Sequence, residues 1–186
     1  GYFDKMSRAD LFVSVDHVQM ERQSFQNRTR IKTGGGRQWI TVPVVQASRE
    51  ELIKEKQVDN SRDGRSRWGR TMGLTIKYAY QAAPYFKDWE PALSEVLETR
   101  WDGLSQLNER LIGLCRGALG ISTPMLKSSE LNITGRKSDM VLELCRQVGA
   151  DAYLCRRSVV GHLLVVDDLH HDAGRHAAVL PGPPLC

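Results

Sequence analysis

The residues with the clearest capacity for chemistry stand at the end of a short apolar run. Leu11-Phe12-Val13-Ser14-Val15 leads into Asp16-His17-Val18-Gln19, and Asn27-Arg28-Thr29-Arg30-Ile31-Lys32 follows shortly after. A carboxylate beside an imidazole can do acid–base work if both face a pocket. Neighbours on a strand point to opposite faces, so Asp16 and His17 can share a task only where the strand has ended. The competing reading of Asp16 is a strand-end group that satisfies a turn. Arg28, Arg30 and Lys32 alternate, so on a strand they share one face. Three cations there can hold a phosphate or carboxylate, with arginine supplying bidentate geometry. A solvated edge that resists aggregation explains the same spacing equally well.

A second polar group lies further on. Ser128-Ser129-Glu130-Leu131 precedes Lys137-Ser138-Asp139. Hydroxyls, a carboxylate and a cation at a strand end and a helix start can bind an anion; Ser138 as a plain helix cap is the alternative. Arg62, Arg65, Arg67 and Arg70 surround Trp68. Trp68 fits a helix core better than a base-stacking platform, so an anion site or a solvated face is favoured over nucleic acid. Gly34-Gly35-Gly36 lacks the spacing of a phosphate loop and reads as a hairpin turn. His170, His171 and His176 match no metal-binding helix spacing, and no metal site is expected.

The bulk numbers bound these readings. A length of 186 residues suits one domain with a core that needs no staples. Lys and Arg total 26 against 22 Asp and Glu, a net charge of +4 that is compatible with an anionic small-molecule substrate. Cys115, Cys145, Cys155 and Cys186 form no C-x-x-C pair. Cys115 and Cys145 fall on apolar helix faces and read as buried core thiols, which points to a reducing, cytoplasmic compartment. No run approaches the ~20 apolar residues of a membrane helix, and the start is not that of a signal peptide. It has no initiator Met and reads as a fragment or a processed piece.

The elements that must position these groups follow from periodicity. Tyr2–Arg8 suits one or two helical turns, and Leu11–Val15 a buried strand. Arg28–Thr33 and Gln38–Val42 flank the glycine turn as a hairpin. Ile53 and Val58 suggest a further strand-like piece, and Asp59–Arg70 a loop. Trp68, Met72, Ile76 and Tyr80 recur at helical spacing, and Pro84 ends that helix. Asp88–Glu98 reads as a helix with Asp88 as N-cap and Pro91 in its first turn. Leu104, Leu107, Leu111 and Leu114 make an amphipathic stripe that stops at Gly120. Met125–Ser128 suits a strand. Ser138 caps a helix with Val141, Leu144, Cys145 and Val148 inward, and Asp151–Leu154 is the next strand. Helices alternating with strands predict an α/β fold. Residues 155–186 show no helix or strand pattern.

Several blocks together resemble the WbqC-like protein family of bacteria. They are Gly1-Tyr2-Phe3-Asp4-Lys5, Ala9-Asp10-Leu11-Phe12-Val13, Asp16-His17-Val18-Gln19, Asn27-Arg28-Thr29-Arg30-Ile31-Lys32 and Trp39-Ile40-Thr41-Val42-Pro43-Val44. Ala83-Pro84-Tyr85-Phe86, Leu119-Gly120-Ile121-Ser122-Thr123-Pro124, Ser128-Ser129-Glu130-Leu131 and Gly149-Ala150-Asp151-Ala152-Tyr153-Leu154 complete the series. Each block is weak alone; their shared order and spacing are specific.

The resemblance covers residues 1–154. It implies a cytoplasmic role in bacterial O-antigen or other surface-polysaccharide biosynthesis, with group transfer on a nucleotide-linked sugar. It names no cofactor and no oligomeric state. Asp16, Asn27, Arg28, Arg30, Ser129, Glu130 and Lys137 are the expected pocket. Arg28 and Arg30 would hold phosphate, and Asp16 or Glu130 would act as base or orient a hydroxyl. A nucleotidyltransferase-like enzyme and a non-catalytic assembly module are the alternatives.

Two departures qualify the match. Family members begin with a His-Gln-Pro-Asn-Tyr-Leu-Pro stretch that this sequence lacks, so the fold is expected as a single α/β domain, a short mixed sheet flanked by helices, truncated at its N-terminus. Residues 155–186 diverge as well, as a shifted reading frame or a fused tail would.

Overall fold

Apolar spacing and turn residues locate most of the secondary structure found in the computed structural model, which describes residues 1–61, 67–154, 163–165 and 176–180. The fold is α/β, and it divides into two compact units.

The first unit comprises Gly1–Val18 and the chain from Arg116 onward. Helix α1 (Tyr2–Arg8) leads into strand β1 (Leu11–Ser14). Within β1, Phe12 and Val13 are fully buried, which explains why an unbroken apolar run forms a strand here. The unit also holds β4 (Met125–Lys127), α5 (Ser138–Gln147) and β5 (Ala152–Leu154). Two further strands, β6 (Leu163–Val165) and β7 (His176–Leu180), complete a five-stranded sheet of order β4-β1-β7-β5-β6. The sheet is mixed: β1 runs parallel to β4 and β7, β5 parallel to β7, and β6 antiparallel to β5. Under it, Val13, Val15, Met140, Leu144, Cys145 and Tyr153 form one apolar cluster.

β6 and β7 fall in the segment after residue 154, where no pattern in the sequence is long enough to assign a strand. They are only three and five residues long, too short to show a period, and β7 pairs with β1, far back in the sequence. Arg62, Arg65, Cys155, His170, His171 and Cys186 lie outside the described residues.

The second unit spans Gln19–Cys115. Strands β2 (Arg28–Thr33) and β3 (Gly36–Thr41) form the expected hairpin. Gly36 closes it at φ +115°, a conformation that glycine tolerates at little cost. Helices α2 (Arg67–Tyr80) and α3 (Phe86–Glu98) and most of α4 (Leu104–Ala118) follow. Their inward residues Met72, Val96, Leu97, Leu104 and Leu107 join Val42 and Val58 in a second core.

Four local expectations change. Ile53–Glu55 is a 3-10 turn rather than a strand, and Val58 makes an isolated bridge to Val44. Helix α3 starts at Phe86, with Tyr85 at the cap position and Asp88 inside the first turn. Ser138 is the first helical residue of α5, and the cap position falls to Lys137 at φ 54°. Cys145 is fully buried as expected, but Cys115 is only half-buried; burial raises both thiols above the ordinary cysteine value.

Candidate functional site

In the first unit the polar groups gather where β1 and β4 end side by side. Both strands run in the same direction, and the carboxyl ends of parallel strands are where open α/β sheets usually place ligands. β1 stops at Ser14, so Asp16 and His17 lie beyond it and are released from strand alternation. That meets the condition under which the two can work together. β4 stops at Lys127, and Ser128–Glu130 turns as a 3-10 helix directly opposite.

Asp16 is 4% exposed and its carboxylate is fully engaged. Oδ1 accepts from Ser128 Oγ at 3.1 Å and from the Ser129 N–H at 2.9 Å. Oδ2 accepts from Ser129 Oγ at 2.6 Å. Ser128 Oγ in turn accepts from the Asp16 N–H at 3.0 Å and lies 2.5 Å from His17 Nδ1.

The hydroxyl of Ser128 has one proton to give. A carboxylate is the stronger acceptor, so that proton goes to Asp16, and Nδ1–H of His17 donates to Ser128 Oγ. This assignment satisfies every valence of the hydroxyl. It also fixes the ring with its proton on Nδ1 and leaves Nε2 as the basic nitrogen of the neutral ring. Ser128 is fully buried, which suits a relay of orientation and not a nucleophile.

Glu143 on α5 braces the neighbouring loop. Its carboxylate accepts from the Gly135 N–H at 2.7 Å, the Thr134 N–H at 3.0 Å and Thr134 Oγ1 at 3.4 Å. The Gly135 bond above all, then Thr134 and the nearby His17, hold Glu143 below the ordinary glutamate value. A side chain on Gly135 would bring a Cβ to 2.9 Å from the Met140 nitrogen. A depressed acid contributes stability above its unfolded-state pKa and loses it as pH falls through the folded value. Glu143→Gln should therefore lower the melting temperature at neutral pH, and the gap to wild type should close on acidification below pH ~4. Thermal melts across that range check this; a gap that stayed constant would rule out Glu143 as its source.

The expected site residues divide between the units. Asp16 and Ser129 are in direct contact. Glu130 is exposed and pairs with Lys127, its Oε1 lying 3.8 Å from the ammonium. Lys137 is exposed at the start of α5. Asn27, Arg28 and Arg30 belong to the second unit. Asn27 donates through Nδ2 to the Val42 carbonyl at 2.9 Å and so locks the open end of the hairpin. Ser128 stood in the polar run read at this strand end but not among the expected pocket residues.

Arg28 and Arg30 share an aromatic support. Their guanidinium carbons lie 4.1 and 4.4 Å from the ring centre of Trp39, which sits directly across from Arg30 in the hairpin register. Phe25 packs against the same ring with centroids 5.1 Å apart. Arg28 also donates to the Gln23 carbonyl, while its Nε is buried and meets no acceptor. No acidic side chain pairs with either arginine among the described residues. Trp39 also borders a groove of about 790 Å³, whose walls include Asn27, Thr41, Asn60, Trp68 and Thr71.

Among the described residues, no group of His, Cys, Asp and Glu has the makings of a metal site, and no helix is long and apolar enough to cross a membrane. The model of the WbqC-like protein family matches residues 1–163. The chain belongs to the WbqC-like protein family. A relative, the uncharacterized protein Rv1507c of Mycobacterium tuberculosis, is 33% identical over 156 residues, covering 83% of this chain and 65% of its own length. The WbqC-like chain thus spans just under two thirds of that relative. No solved structure matches it.

Proposed function

We propose that this WbqC-like protein transfers a group on an anionic, nucleotide-linked sugar in bacterial surface-polysaccharide biosynthesis. The observation that carries the reading is the arginine pair stacked on Trp39 without an acidic partner. Stacking holds two guanidiniums in place, and the N–H groups of Arg30 with those that Arg28 does not give to Gln23 are available to phosphate. The bordering groove offers indole, amide and hydroxyl groups, which suit a sugar ring with its apolar faces and hydroxyl rim.

In the first unit Asp16 acts through Ser128 to hold the His17 ring, and Ser129 anchors Asp16.

A thermal-shift screen against nucleoside-diphosphate sugars, free nucleosides and neutral sugars tests the proposal, because a ligand of the native state raises stability. At 100 times its Kd a ligand adds about 2.7 kcal/mol. Stabilisation by nucleoside-diphosphate sugars above the other classes is expected; equal or absent shifts for all three would overturn it.

A second reading is an assembly module of a polysaccharide-synthesis complex. It is favoured by Leu74, Tyr78 and Tyr85, which are 44%, 73% and 74% exposed. That reading predicts no response in the screen.

A further inference from the structure

We infer that the hairpin of the second unit carries a second anion subsite, formed by Lys32 and Arg37, next to the Arg28–Arg30 pair. The inference rests on the proposed anionic substrate and specifies it: the ligand presents two or more linked anionic groups rather than one.

β2 and β3 pair with Arg28 opposite Thr41, Arg30 opposite Trp39 and Lys32 opposite Arg37. Residues alternate across a strand, and directly paired residues share a face. Arg28, Arg30, Lys32 and Arg37 therefore stand together around Trp39, on the face opposite the buried Ile31. Arg37 is invisible in the spacing of Arg28, Arg30 and Lys32; only the two-strand register brings it in.

Like charges directly opposite one another destabilise a sheet. The hairpin tolerates two such juxtapositions, one over Trp39 and one between Lys32 and Arg37. No acidic side chain relieves either of them among the described residues. The Arg28 Nε adds a buried donor without an acceptor. A solvated edge needs neither an aromatic clamp nor a buried open donor. Two positions along a strand separate the pairs by about 7 Å. A single phosphate on the first pair leaves the second unanswered, whereas a chain of linked phosphates meets both.

Calorimetric titration with inorganic phosphate and with tripolyphosphate tests this on the wild-type protein and three double variants. Wild type should bind tripolyphosphate at least tenfold more tightly than phosphate. Lys32→Gln with Arg37→Gln should abolish that preference and leave phosphate affinity within about twofold. Arg28→Gln with Arg30→Gln should weaken both ligands. Lys54→Gln with Lys87→Gln removes the same charge from exposed positions elsewhere in the unit and should keep the preference.

If the Lys32/Arg37 variant behaves like wild type or like the Lys54/Lys87 control, the inference fails. If phosphate binds through Arg28 and Arg30 but tripolyphosphate gains nothing, the subsite fails while the anion reading stands. If neither ligand binds, both fail together.

Discussion

Asp16→Asn is expected to leave a folded protein of lower stability. The carboxylate takes three hydrogen bonds, two from hydroxyls and one from a backbone N–H, while 4% exposed. An amide keeps one acceptor and places an N–H₂ where the other donors point. The amide oxygen takes the Oδ1 position, where the Ser128 hydroxyl and the Ser129 N–H point, and the N–H₂ faces Ser129 Oγ. A stability loss of about 2–3 kcal/mol should accompany this, because bonds to a buried charge are among the strong ones. Ser129→Ala is the milder comparison: it deletes one donor, keeps the charge and should cost about 1 kcal/mol. Denaturant melts check both variants; an Asp16→Asn protein as stable as wild type would show that the carboxylate does not hold this network.

Gly69→Ala carries the largest structural effect. α2 and α3 touch at this residue, and a Cβ there would lie 1.8 Å from the Leu97 carbonyl oxygen and 2.8 Å from its carbon. Both atoms are backbone in a helix, so no rotamer can yield. Leu97 is also 1% exposed within the second core. The helices must separate, at a cost of about 3 kcal/mol, the upper end of ordinary overpacking. Gly73 offers an internal control one turn on. Its added Cβ would meet only Leu97 Cδ1 at 3.8 Å, so Gly73→Ala should be neutral or stabilise by up to about 1 kcal/mol through helix propensity. Urea unfolding followed by tryptophan fluorescence compares the two; equal stability of both variants would show that the helix contact is not a constraint.

The legible parts of the chain were those in which local pattern and final environment agree. Trp68, Met72 and Ile76 announced α2 because a helix buries one stripe. The glycine run announced the hairpin because only residues at ease with positive φ close it tightly. β6 and β7 were illegible for other reasons: β6 is three residues long, and β7 takes its identity from non-local pairing, between β1 and β5 in the sheet. The candidate site divides in the same way. Asp16, His17, Arg28 and Arg30 were visible by type and spacing. Ser128 was not among the expected pocket residues, since its hydrogen bonds to Asp16 and His17 span over a hundred residues. Arg37 was hidden until the pairing of β2 with β3 was known.

In the proposed function a nucleotide-linked sugar is bound by its anionic group at the arginines on Trp39. The most direct test is calorimetric titration of nucleoside-diphosphate sugars into wild type, Arg28→Gln with Arg30→Gln, and Asp16→Asn. Binding to wild type is expected, with affinity reduced at least about tenfold in the arginine variant (about 1.4 kcal/mol) and within about threefold of wild type in Asp16→Asn. Binding that is indifferent to loss of both arginines, or no binding to any of the three proteins, would contradict it.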